Sequence, residues 1–245
     1  MRKFLIVATA ALTAIAFTAA VSYGQGADTA TLQVGVTPKD AGTPKKPTNS
    51  KFHLNVVNGN VSRTMSDLDV FISKTAPLSL KGLPKCAPDK IFARTCAKST
   101  VLGTGEAKAK VGVNGPPEAV SDRTFKVTAY KTNSPVTGKE MLGFFIDDGG
   151  SLQFLTETKL TKVSGKYGQK LHIDVPELAQ HVGATYNGLV SLETTLSKKV
   201  GKRYLVSSTG CVKKKHPYKV DLTFIDNGVT TAAVISKTAN AKCTK

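Results

Sequence analysis

The chain has 245 residues and carries 34 Lys and Arg against 17 Asp and Glu, a formal charge of +17, with no Trp. A chain of this size buries roughly 70% of its unfolded surface, so it needs no metal to complete a core. The positive field attracts polyanions and speeds their encounter, while an aromatic content of 7% without Trp argues against a platform that stacks neutral sugars.

Residues 1–26 read as a secretory signal. Arg2 and Lys3 form a positive start, the run from Phe4 to Val21 is uncharged, and Thr18, Ala19, Ala20, Ser22 and Gly24 supply the small-residue exit. About 18 apolar residues can just span a bilayer, but the alanines and threonines here keep the run weakly hydrophobic. Cleavage is expected between Ala20 and Ala30, leaving an extracellular chain of charge +15 with no transmembrane segment, free or held at the cell wall.

Residues 27–49 form an extended linker with room for one strand at Thr31–Thr37, closing on Gly42-Thr43-Pro44-Lys45-Lys46-Pro47. From Ser50 to Lys245 the hydrophobic period is two. Phe52, Leu54 and Val56 alternate with polar residues, as do Leu68, Val70 and Ile72; Ala107, Ala109, Val111 and Val113; Phe125, Val127 and Ala129; Leu171, Ile173 and Val175; and Tyr218, Val220, Leu222 and Phe224. Further strands are expected at 140–147, 151–163, 186–197, 203–209 and 229–237. Asp148-Gly149-Gly150 and Asp226-Asn227-Gly228 supply turns. A single short helix is expected over Pro176–Val182, with Pro176 at its first turn and Gly183 past its end. Half-polar alternation marks antiparallel sheets with one wet face. The predicted fold is all-β: an antiparallel β-sandwich or jelly roll of about ten to twelve strands.

Four cysteines, Cys86, Cys96, Cys211 and Cys243, form an even set, which in an exported chain implies disulfides. Three pairings exist, and sequence proximity favours Cys86–Cys96 and Cys211–Cys243. The first cysteine loop carries a resemblance. Cys86-Ala87-Pro88 and Thr95-Cys96-Ala97-Lys98-Ser99-Thr100-Val101-Leu102-Gly103, with Leu171-His172-Ile173-Asp174-Val175-Pro176 and Ser208-Thr209-Gly210-Cys211, are similar to segments of uncharacterised secreted proteins of soil actinobacteria. The resemblance implies a secreted β-sandwich with two disulfides and no particular activity.

Serine-hydrolase, phosphate-loop, zinc-protease and EF-hand motifs are absent, and no cofactor is implied. His53 and His172 fall on polar strand positions. His172, His181 and Asp174 could meet across a turn, but their spacing matches no metal-ligand pattern. Asp147-Asp148-Gly149-Gly150 suits a hairpin turn better than a calcium loop. Asp147, Asp148, Glu157, Asp174, Glu177 and Glu193 are the pool for a carboxylate-dependent glycan hydrolase, with no pair singled out. Tyr130, Tyr167 and Tyr186 are the rings left for sugar stacking, and each suits a half-buried strand position. The most suggestive residues are basic: Lys198, Lys199, Lys202 and Arg203, and then Lys213, Lys214 and Lys215. If 203–209 is one strand, these are turns at its two ends, roughly 20 Å apart. The expectation is a non-enzymatic binding or structural module whose partners are anionic extracellular or cell-wall polymers; the rival is the glycan hydrolase.

Overall fold

The computed structural model describes residues 29–59, 64–112, 120–150, 152–182, 185–226 and 229–244; the predicted signal at 1–26 lies outside them. Two antiparallel sheets face each other. The first runs in the order β1 (Ala30–Thr37), β2 (Thr48–Asn58), β11 (Thr185–Leu196), β4 (Val101–Val111), β5 (Ser121–Asn133), β6 (Glu140–Asp147) and β7 (Gln153–Leu155). The second runs β16 (Val229–Lys242), β15 (Lys215–Asp226), β3 (Thr64–Ser73), β9 (Tyr167–Asp174) and β8 (Glu157–Lys162). The remaining strands are short: β10 (His181–Val182) beside β11, β14 (Val206–Ser208) beside β2, and β12 (Lys199–Val200) paired with β13 (Arg203–Tyr204).

The alternation read from sequence is the alternation of faces. Phe52, Leu54 and Val56 of β2 and Val127 and Ala129 of β5 point inward from the first sheet. Leu68, Val70, Ile72, Leu171, Val220, Leu222 and Phe224 meet them from the second, all in one buried cluster. Each such large side chain contributes about 1.5–3 kcal/mol on burial. Strands reach β16, more than predicted, because β7, β10, β12, β13 and β14 span only two or three residues and leave no alternation to read. The segment read as a linker holds a full strand: β1 pairs along its length with β2, from Ala30↔Asn58 to Thr37↔Lys51. The predicted helix shrinks to α2 (Glu177–Gln180), because the chain returns to extended geometry at His181 to pair with Tyr186.

Strand β6 reads as a continuous apolar run, Met141 to Ile146, because both its faces are covered. Leu142 and Phe144 enter the main core. Met141 and Phe145 enter a second, smaller core with Cys86, Ile91 and Leu155. The Cys86–Cys96 loop, with α1 (Pro88–Phe92) inside it, makes this outer layer, and Phe92 meets the Phe145 ring edge-on at 5.8 Å. Arg94 pins the loop: its Nε and Nη2 donate to both Asp147 carboxylate oxygens at 2.8 and 2.7 Å. The second disulfide joins Cys211 to Cys243, so the two pairs are those favoured by sequence proximity.

The topology gives the sandwich two distinct ends. At one, β1 and β5 finish, β2 and β6 begin, β3 and β16 finish, and β15 begins. Asp40 bridges Thr244, and Lys85 bridges Lys131, at this end. Both disulfides staple it. At the other end lie the starts of β3, β5 and β11, the end of β9, and α2.

Candidate functional site

The stapled end is the basic one. Its connections 38–47, 74–85, 134–139, 163–166 and 197–215 are rich in Lys and Arg, with Asp40 as their carboxylate; Glu140, at the start of β6 beside them, pairs with Lys131 at 2.9 Å, and Asp89 lies in α1 as the 74–100 connection continues. The described connections at the opposite end carry Asp148 and Glu177 and neither Lys nor Arg. Base is therefore concentrated in the connections of the stapled end, while at the other end Lys110 and Arg123 stand on the strands themselves.

Lys213 and Lys214 form the tip of a two-residue loop. Val212 and Lys215 exchange both backbone hydrogen bonds, at 2.9 and 3.0 Å, and both lysines take left-handed backbone, with φ of 48° and 61°. This is the geometry of a type I′ turn, which normally selects Asn-Gly. Cys243 N–H donates to the Lys214 carbonyl, Lys215 pairs with Lys242, and Thr244 N–H donates to the Lys39 carbonyl. Lys39 and Lys242 thus join Lys213, Lys214 and Lys215, all five exposed and none ion-paired among the described residues.

The other predicted cluster sits on the β12–β13 hairpin. Lys199 Nζ lies 5.7 Å from the Tyr204 ring centre, and Arg203 covers Gly82 so closely that a Cβ there would collide with the guanidinium. Lys198 is half-buried, and its carbonyl accepts from Leu205 N–H at 2.9 Å. Lys202 and Arg203 are exposed. The stretch 203–209 is not one strand. It breaks after Tyr204, leaves the hairpin, and pairs as β14 with Ser50, Asn49 and Thr48 at the start of β2. The two basic clusters therefore lie at the same end of the sandwich rather than at opposite ends of a sheet.

The acids are mostly engaged. Asp147 holds Arg94 and caps Gly149 N–H at 2.8 Å, and the Arg94 hydrogen bond holds its carboxyl below the ordinary range. Asp148 Oδ1 caps Gly150 and Leu152, so this segment is a capped hairpin turn. Glu177 contacts His181 at 3.2 Å and Glu193 lies 3.9 Å from His53.

One polar constellation was read in part: His172 does meet Asp174, but its other partners are Asp69 and Asp67 rather than His181. Register pairs Asp67 with Asp174, and Asp69 with His172, on the outer face of β3 and β9. His172 Nδ1 bonds Asp69 at 2.7 Å and Nε2 bonds Asp174 at 2.8 Å, with Asp67 at 3.7 Å. Burial pushes the His172 pKa down, but the Asp69 bond and the Asp174 and Asp69 charges outweigh it and hold it above the ordinary value. In its protonated form the ring donates from both nitrogens to these carboxylates. Ligand atoms of Asp67, His172 and Asp174 lie within 4.8 Å of one another, while His181 belongs to a separate pair with Glu177. The signal was present in the polar positions of two alternating strands, but only their register joins them.

At the end opposite the lysines the sheets part around a cavity of ≈ 90 Å³. Met65, Leu68, Phe125, Ile146, Ile173 and Leu189 are among its walls. No family model matches this chain, no curated protein is similar to it, and no solved structure matches it.

Proposed function

We propose that the protein is a secreted, non-enzymatic binding module that docks onto anionic extracellular or cell-wall polymers through its stapled, basic end. The observation that carries this reading is the density of base: connections drawn from five parts of the chain, rich in Lys and Arg, converge at one end, with Asp40 and the Lys131-paired Glu140 as the acids beside them. Like charges held together raise the energy of the folded state by mutual repulsion, and a polyanion relieves it. The Lys213–Lys214 turn supports the same reading. Lysines occupy left-handed positions that cost an L-residue about 1–2 kcal/mol each, where Asn-Gly would avoid most of that cost. Strain kept at an exposed, charged tip points to use of the charge.

The test is binding to heparin, DNA and teichoic acid between roughly 50 and 300 mM salt, where screening shortens steadily. Each lost phosphate contact lowers the slope of log K against log salt by about 0.7–0.9. Replacing Lys213, Lys214 and Lys215 by Gln should lower the slope by about two to three units. The Lys198, Lys199 and Lys202 triple variant should act on the same polymer, since both clusters share one end. Absence of binding at the lowest salt, or an unchanged slope in both triple variants, overturns the proposal.

A further inference from the structure

The far end of the sandwich has chemistry of the opposite kind. Its cavity of ≈ 90 Å³ is walled by apolar side chains of both sheets, with Asn187 and Thr156 as the polar exceptions. Asn187, the third residue of β11, lies at the rim, is 7% exposed, and donates from Nδ2 to the Ala179 carbonyl of α2 at 3.1 Å. Its Oδ1 is buried with no partner among the described residues. A buried amide oxygen left unpaired is costly and calls for a donor.

The void also has a direction. Deeper between the sheets lies a second gap of ≈ 10 Å³, walled by Phe52, Val70 and Phe144 among others, and it shares Ile173 and Leu192 with the first. The loosely filled space therefore runs from the rim inward along the sandwich. The main cavity is smaller than the roughly 150 Å³ void that holds a benzene. That shape suits the end of a narrow chain better than a ring. The unpaired Asn187 Oδ1 narrows the headgroup: a hydroxyl or an amide N–H can donate to it, whereas a carboxylate has no proton to give.

We propose that this cavity binds a neutral single-chain amphiphile, tail inward between the sheets, with a hydroxyl or amide N–H headgroup donating to Asn187 Oδ1. The site is separate from the basic end and stands or falls independently of polymer binding.

The test uses 1-hexanol, hexyl methyl ether and hexanoate as probes in a methyl-detected NMR titration of the oxidised protein. 1-Hexanol should shift the methyl signals of Met65, Leu68, Ile146, Ile173 and Leu189 saturably, leaving Ile91 and Leu205 unmoved. The ether, which lacks the donor, should bind about tenfold more weakly, and hexanoate more weakly still. Asn187→Leu should remove the preference for the alcohol over the ether, and Ala109→Phe should fill the mouth and abolish all three sets of shifts. Intermolecular NOEs from the hexanol chain to Ile173 in the wild-type protein provide a readout that needs no variant. Absence of saturable shifts and NOEs, or shifts that survive Ala109→Phe in a folded protein, overturns the site. Equal binding of alcohol, ether and hexanoate overturns the assigned headgroup.

Discussion

Replacing Lys213 by Asn and Lys214 by Gly should make the protein more stable and a poorer polyanion binder. Both positions have left-handed backbone, with φ of 48° and 61°, and both side chains are exposed, so no packing is lost. Left-handed backbone costs an L-residue about 1–2 kcal/mol. Glycine removes that cost at position 214 but loses about 0.4–1 kcal/mol of the gain to the larger entropy of the unfolded chain, and Asn at position 213 recovers only part of the strain. The expected net gain is about 1 kcal/mol, which in a domain of this size raises Tm by about 2–4 °C. Urea unfolding of the oxidised protein measures it as a higher midpoint at unchanged slope. Heparin affinity at low salt should fall, because two charges leave the tip. A destabilised variant would refute the strain argument, and a stabilised variant that binds heparin as well as wild type would refute the link between strain and charge.

Tyr218 is 1% exposed, its ring lies tilted with its centre 5.0 Å from that of Phe52, and its hydroxyl is buried with no partner among the described residues. Tyr218→Phe should therefore be stabilising by about 1 kcal/mol in the same urea assay; a loss of similar size would reveal a partner for the hydroxyl. The two histidines should give opposite pH dependences. Burial lowers the His216 pKa below 6.5, so its contribution is complete above that value and is lost as pH falls through it toward the folded pKa. The His172 pKa is raised, so its contribution is complete below 6.5 and is lost as pH rises through the folded value. Unfolding free energies from pH 5 to 8 should lose the acid-side slope in His216→Gln and the alkaline-side slope in His172→Gln, each slope at most about 1.4 kcal/mol per pH unit. An unchanged profile in either variant would refute that assignment.

The parts of the fold legible in the sequence are those where one face is wet. Phe52-Leu54-Val56, Leu68-Val70-Ile72 and Tyr218-Val220-Leu222 each mark a strand and its inward face, because period two survives in any register. Both disulfides were legible because each closes a local loop. The stretch 203–209 misled because Val206 and Ser208 continue an apolar alternation across a break that only the pairing with β2 creates. Half of the candidate site was also legible, as two runs of basic residues. Their meeting at one end depends on the pairing of β14 with β2, and Lys39 and Lys242 arrive beside them through the Thr244–Lys39 backbone bond and the pairing of Lys215 with Lys242. The Lys213–Lys214 turn has no local signature, because it occupies a turn that favours other residues; of the Asp69–His172–Asp174 row, the His172–Asp174 pair is local to β9 and only Asp69 arrives across strands.

The Lys213–Lys214 turn bears on resistance to proteases. A trypsin-like protease cleaves after lysine, but it must draw several residues around the bond into an extended strand within its own cleft. Here the bonds after Lys213 and Lys214 are curled left-handed, closed by the Val212–Lys215 pair, and tied beneath by Cys211–Cys243. The most lysine-rich tip of the molecule is thus a poor substrate as long as its cystine is intact. Reduction of that one bond would turn the same tip into a cutting site, coupling the lifetime of the protein to the redox state of its surroundings.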